Sequence, residues 1–181
     1  MHYIIIGFIA LLFIFIISID NRFKRIKVRI NQSISGIDTC LTRRFDTLTK
    51  LVEITKDFMA HEENLLTSIV EKRQGLSKMS VKEKETFDAE INQVTQGLRV
   101  QMEAYPELKS SNNVRDLQKA IMDTENELMA ARRLYNSNVA IYNEMILVFP
   151  SSVIAGMRHY QAEDFFQAEE KKRQDVDVSL R

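Results

Sequence analysis

The sequence predicts an all-α protein, with an N-terminal transmembrane helix followed by an antiparallel helical bundle. Three observations predict it. Residues 3–19 form an apolar run of 17 residues without a charge. Only 5 glycines and 2 prolines occur among 181 residues, too few chain-bending residues for a many-turned β sandwich or an α/β enzyme. Between Val114 and Phe149, apolar residues recur at alternating steps of three and four, which is the spacing of one helical seam. The 25 basic residues balance the 25 acidic ones, so a generally basic nucleic-acid binder is excluded and no nucleic-acid partner is expected.

The first element is YIIIGFIALLFIFII, extended by Ser18 and Ile19. This is at the short edge of the roughly 17–25 residues that span a bilayer as a helix. Val, Ile and Phe are mediocre helix formers in water, but an open backbone in lipid costs far more. A cleaved signal peptide would need a basic start and a small-x-small cleavage site. Here Met1-His2-Tyr3 precedes the run and Asp20-Asn21-Arg22 follows it. A lipoprotein would need a cysteine just after the run, and a core helix would keep a polar face. An uncleaved single-pass anchor over 1–19 is the reading that remains, with the lipid bilayer as partner. Arg22, Lys24, Arg25, Lys27 and Arg29 follow the span, and only His2 precedes it. The positive-inside rule then places the N-terminus outside the cell membrane and residues 20–181 in the cytoplasm. The single cysteine, Cys40, permits no intramolecular disulfide and suits a reducing compartment.

The next helix is expected from about Arg29. Its seam is Ile30, Ile34, Ile37, Leu41, Phe45, Leu48, Val52, Thr55, Met59, Glu62, Leu66 and Ile69, closed by Gly75. Glu62, beside His61, interrupts the seam, so a break is most plausible there. A further helix follows with Phe87, Ile91, Val94, Leu98, Met102 and Tyr105. Ser80 with Glu83 forms its capping box, and Pro106 closes it. The turn 109–113 leads to the longest seam: Val114, Leu117, Ile121, Leu128, Ala131, Tyr135, Tyr142, Met145 and Phe149. Thr124 and Asn138 fill its gaps, and Pro150 ends it. Each helix alone would expose an apolar stripe, so they pack on one another over residues 20–157. Residues 158–181 read as a mixed-charge tail. There are three long helices, or four if the first breaks near His61. Three would run away, back and away, leaving Phe149 far from the bilayer. Four would bring Phe149–Met157 back to it, as a second membrane contact or as a cap on the bundle's end.

The catalytic inventory is empty, and no cofactor or metal residue is assigned. Asp57 and His61 share a helix face, but a charged surface pair is the plainer account. HEENL at 61–65 is not H-E-x-x-H. Glu-x-x-His di-iron motifs are absent, since Phe58 and Gly156 stand three before His61 and His159. The glycines lie too far apart for a phosphate loop, and no nucleophile elbow appears. Cys40 lies next to the seam as a half-buried thiol. The segment TENELMAARRLYNSNVAIYNEM (124–145) is the most distinctive. It repeats Tyr-Asn at 135–136 and 142–143, with phenol oxygens available at the seam's rim. Glu125 and Arg132 lie on one flank, where Arg43, Arg44, Asp46 and Glu53 of the first helix can meet them as polar pairs that fix register.

These residues carry a resemblance. RRFDTLTKLVEITKDFMAHEENLL (43–66), AYPELKSSNNVRDLQKAIMDTENELMAARRLYNSNVAIYN (104–143) and FPSSVIAG (149–156), together with the N-terminal span, resemble the LemA family of bacterial membrane proteins. The similarity runs nearly end to end. A departure is Thr47–Lys50, where the family often has a proline. The resemblance implies one N-terminal anchor, an antiparallel bundle usually described as four helices, and no established enzymatic activity. A family member needed to form magnetosome membranes points to membrane organisation. The expectation is therefore a membrane-anchored scaffold or adaptor, not an enzyme, with a protein partner or self-association. The alternative is a signalling or regulatory component that binds a small ligand between helices through Thr124 and Asn138.

Overall fold

The computed structural model describes residues 1–55, 75–103, 105–106 and 111–167. Among them are four α-helices: α1 (His2–Thr55), α2 (Val81–Glu103), α3 (Asn112–Leu147) and α4 (Ser151–Arg158). A 3-10 turn at Leu76–Lys78 precedes α2. No strand occurs among the described residues.

The apolar segment and the first bundle helix are one element. The sequence suggested a new start near Arg29, yet α1 runs 54 residues without a break, roughly 80 Å at 1.5 Å per residue. No proline interrupts it, and Gly36 sits mid-helix with open space around it. Thr39, Thr42, Thr47, Thr49 and Thr55 each satisfy their hydroxyl within the helix by donating it to the carbonyl four residues before. The proposed break at His61, the Asp57–His61 pair and the seam beyond Thr55 lie outside the described residues.

The cap of α2 is as expected. Ser80 N–H donates to Glu83 Oε2 at 2.7 Å, and Glu83 N–H donates back to Ser80 Oγ at 3.3 Å. The helix ends three residues before Pro106, which leaves Tyr105 outside it and exposed.

The chain divides into two compact units. One comprises 1–34 with 133–165, and the other 35–132 with 166–181. In the first unit α1 and α3 are antiparallel: Ser33 meets Asn138, and Phe23 meets Tyr142. In the second unit α2 and α3 are also antiparallel, with Asp88 at Arg132 and Met102 at Gln118. There α1 and α2 run the same way, since Asp38 meets Lys84 while Arg44 meets Asp88 and Asn92. The order away, back, away is therefore not that of the three long helices. The end of α3 returns to the level of Asp20, where the apolar segment stops.

The cores follow the seams. Ile30, Ile37, Leu41, Phe45, Leu48 and Val52 are buried on α1, Phe87 to Met102 on α2, and Val114, Ile121, Leu128, Tyr135, Tyr142 and Met145 on α3. Phe149 is 78% exposed. α3 ends at Leu147, so the helical register no longer directs Phe149 inward. Val139 is fully buried although it stands outside the seam, because a core-facing stripe is wider than a strict heptad pair.

Candidate functional site

The repeated Tyr-Asn motif holds the chain that leaves α4. His159 takes a left-handed backbone (φ 55°), a conformation for which His is enriched among non-glycine residues. Its N–H donates to Gly156 O, and the next N–H, of Tyr160, to Ala155 O, closing the helix as a Schellman turn. The chain then runs along α3. Asn143 clamps it on both sides, donating to Glu163 O and accepting from Glu163 N–H, each at 2.9 Å. Tyr135 donates its hydroxyl to Asp164 O at 2.9 Å. Of the two seam tyrosines, Tyr135 thus finds a hydroxyl partner at the rim, as the sequence suggested, while Tyr142 is held through its ring.

This turn drops the ring of Tyr160 onto the end of the apolar segment. Phe23, Tyr142 and Tyr160 form one aromatic cluster with ring centroids 4.7–6.4 Å apart. Lys27 lies 5.6 Å over Tyr142 and pairs with Glu163. Asp20, the first residue after the apolar run, gathers three partners: Tyr160 donates its hydroxyl at 2.9 Å, Lys24 lies at 2.7 Å and Arg158 at 3.4 Å. Beside the cluster is a cleft of about 340 Å³, lined by these rings with Lys24, Lys27 and His159.

The bond from Lys24 does most to hold the Asp20 carboxyl below the usual carboxylate value of 3.8, with Tyr160 and the Arg158 charge adding to it against burial. Burial, and then the bond to Asp20, push the Tyr160 hydroxyl up. A depressed carboxyl stabilises the fold fully above its unfolded value and loses that contribution as pH falls. The melting temperature of the protein should therefore exceed that of Asp20→Asn by a constant margin from neutral pH down to about pH 5. The margin should close as pH falls below 3.8. A margin that persists undiminished at lower pH would remove the carboxylate from the account.

A second polar constellation lies inside the unit formed by α1, α2 and α3. Arg44, 2% exposed, donates to Asp88 Oδ1 at 2.6 Å and to Asn92 Oδ1 at 2.5 Å. Its other neighbour is Glu125, at 3.8 Å. Arg132 pairs with the second Asp88 oxygen and stacks 4.8 Å from the Phe166 ring. Lys84, 1% exposed, reaches Asp38 at 2.8 Å and donates to Leu76 O at 2.7 Å, tying the 3-10 turn to the start of α2. At the rim Arg43 meets Glu127. The sequence anticipated Arg43, Arg44, Asp46 and Glu53 meeting Glu125 and Arg132; Arg44 does approach Glu125, but Arg43 meets Glu127 and Arg132 meets Asp88 of α2 instead. It missed Asp88, Asn92, Lys84 and Asp38, although Lys84 stands three residues before Phe87 in the seam's own step.

The residues offered for a small ligand are engaged elsewhere. Thr124 donates to Ile121 O, and Asn138 donates to Ser33 Oγ at 2.8 Å. Burial, followed by the Glu127 charge, raises the Cys40 thiol, which makes it a poor nucleophile. Among the described residues no three His, Cys, Asp or Glu side chains converge as metal ligands.

The sequence profile of the LemA family matches residues 33–180. The chain belongs to the LemA family. It is similar to protein LemA of Metamycoplasma hominis, with 28% identity over 161 residues, 88% of this chain and 74% of that protein. The buried ion network, from Asp38 to Arg132, lies wholly inside the stretch that matches the LemA family. The cluster around Asp20 joins residues inside that stretch, Tyr142 and Tyr160, to residues before it.

Proposed function

We propose that the protein is a single-pass membrane protein, N-terminus outside, which presents its helical part to cytoplasmic partners as a scaffold or adaptor and catalyses no reaction. The observation that carries this reading is the surface of α1. Its apolar stretch is exposed around most of its surface, with only Ile16 and Ile19 half-covered, and none of its most apolar window is buried in the protein. From Asp20 onward the same helix buries one face against α3. An apolar cylinder of that kind calls for lipid. The basic residues that follow the run set the orientation. Family membership agrees with a membrane-associated role and assigns no reaction.

Topology is tested in a Cys40→Ser background. A thiol reagent that does not cross membranes should label His2→Cys in intact cells and should reach Lys119→Cys only after lysis. The reverse pattern overturns the orientation. Gentle detergent extraction followed by pull-down should recover a protein partner in fixed stoichiometry. Recovery of the chain alone, run after run, would remove the adaptor role.

A further inference from the structure

We infer that α4 and the turn before it form a second membrane contact, lying in the headgroup region of the leaflet in which the anchor ends. The inference rests on the reading of residues 3–19 as a span. Three observations carry it. First, position: Asp20 follows Ile19 directly, and it binds Tyr160 at 2.9 Å and Arg158 at 3.4 Å. The C-terminal end of α4 is therefore pinned within one residue of the apolar segment's end. Eight residues of helix extend about 12 Å from that pin. Second, direction: α4 makes an angle of 91° with α3, and α3 runs antiparallel beside α1 in this unit. If α1 crosses the bilayer, α4 lies across the foot of the unit, along the membrane plane. Third, the surface: α4 is apolar on two faces. Ile154 and Ala155 are buried inward, so they already cap the end of the unit. Val153 and Met157, one helical turn apart, are 52% and 69% exposed, and Leu147, Val148 and Phe149, just before α4, are exposed as well.

A cap on the bundle accounts for the inner face only. The outer face needs an apolar neighbour, and the anchor brings one to it. The flanking charges complement an anionic leaflet: Lys24 and Arg158 keep more than half of their side-chain surface exposed, and Arg22 and Arg25 are exposed beside them. A surface helix of this kind sinks its apolar side roughly 5–10 Å into the boundary between headgroups and chains while its cations stay among the phosphates. The short span and this second contact would then fix how the protein stands on the bilayer.

The full chain, with Cys40→Ser, is labelled with an environment-sensitive fluorophore at Val153→Cys, Leu12→Cys or Lys119→Cys. It is reconstituted into phosphatidylcholine–phosphatidylglycerol vesicles that carry nitroxide quenchers at shallow or deep acyl positions. The label at Val153 should be quenched from the lipid several-fold more strongly than the label at Lys119, and better by the shallow nitroxide. The label at Leu12 should prefer the deep one. If Leu12 is quenched from the lipid and Val153 behaves as Lys119 does, the anchor stands and the second contact falls. If Val153 is shielded from lipid and aqueous quenchers alike, protein covers the patch and the proposal is overturned. If Leu12 is not reached from the lipid, the span and the contact fall together.

Discussion

Replacing Asp88 by alanine is expected to cost about 3–5 kcal/mol of folding stability. Asp88 is 4% exposed and holds two guanidiniums, those of Arg44 and Arg132. Its loss leaves Arg44, itself 2% exposed, with Asn92 and a distant Glu125 as partners, and deprives the half-buried Arg132 of its carboxylate. The cost is the stranded charge more than the lost attraction. Arg44→Met combined with Asp88→Leu should therefore cost clearly less than the two single changes added together. Urea unfolding of the full chain in detergent, followed by circular dichroism, measures both. A loss below about 1 kcal/mol for Asp88→Ala would mean that water reaches the network and relieves it.

Leu128→Ala should cost on the order of 2–5 kcal/mol, the range for emptying a buried leucine site. Leu128 is 1% exposed and lies in the α3 seam between Thr124 and Tyr135. Lys119→Ala, on the exposed side of the same helix, should cost about 0.5 kcal/mol or less. Both changes introduce alanine, whose helix propensity is the highest, so their difference reports packing alone. Equal losses from the two would remove the heptad assignment of α3.

Seams of this length were legible because one residue step, repeated over 36 positions of α3, leaves little choice of face. The capping box at Ser80 was legible for the same local reason. The buried network was half legible. Arg44 and Glu125 could be placed on facing flanks, but Lys84 and Asp88 are charged, and sequence reading assigns charges to solvent. Only the crossing of α1 and α2 shows that both are enclosed. The cluster at Asp20 was not legible, because Tyr160 lies 140 residues away from it, and a left-handed His159 brings it there. Phe149 was misread because the seam was continued past the last turn of α3.

The uninterrupted course of α1 sets the helical phase of the Asp20 cluster against the apolar run. With no joint between Ile19 and Ile34, one residue inserted after Ile19 turns the rest of this unit by about 100° about the helix axis relative to the apolar run and raises it by about 1.5 Å. A seven-residue insertion nearly restores the phase, to within about 20°. It would nevertheless carry Asp20, and with it Arg158 and Tyr160, about 10 Å away from the end of the apolar run. The angle and height of this unit against the apolar run are thus separately set by the number of residues between them. On the proposed reading of the run as a membrane span, its 17 residues set which side of this unit faces its neighbours in the plane of the bilayer, as well as how deeply it is rooted.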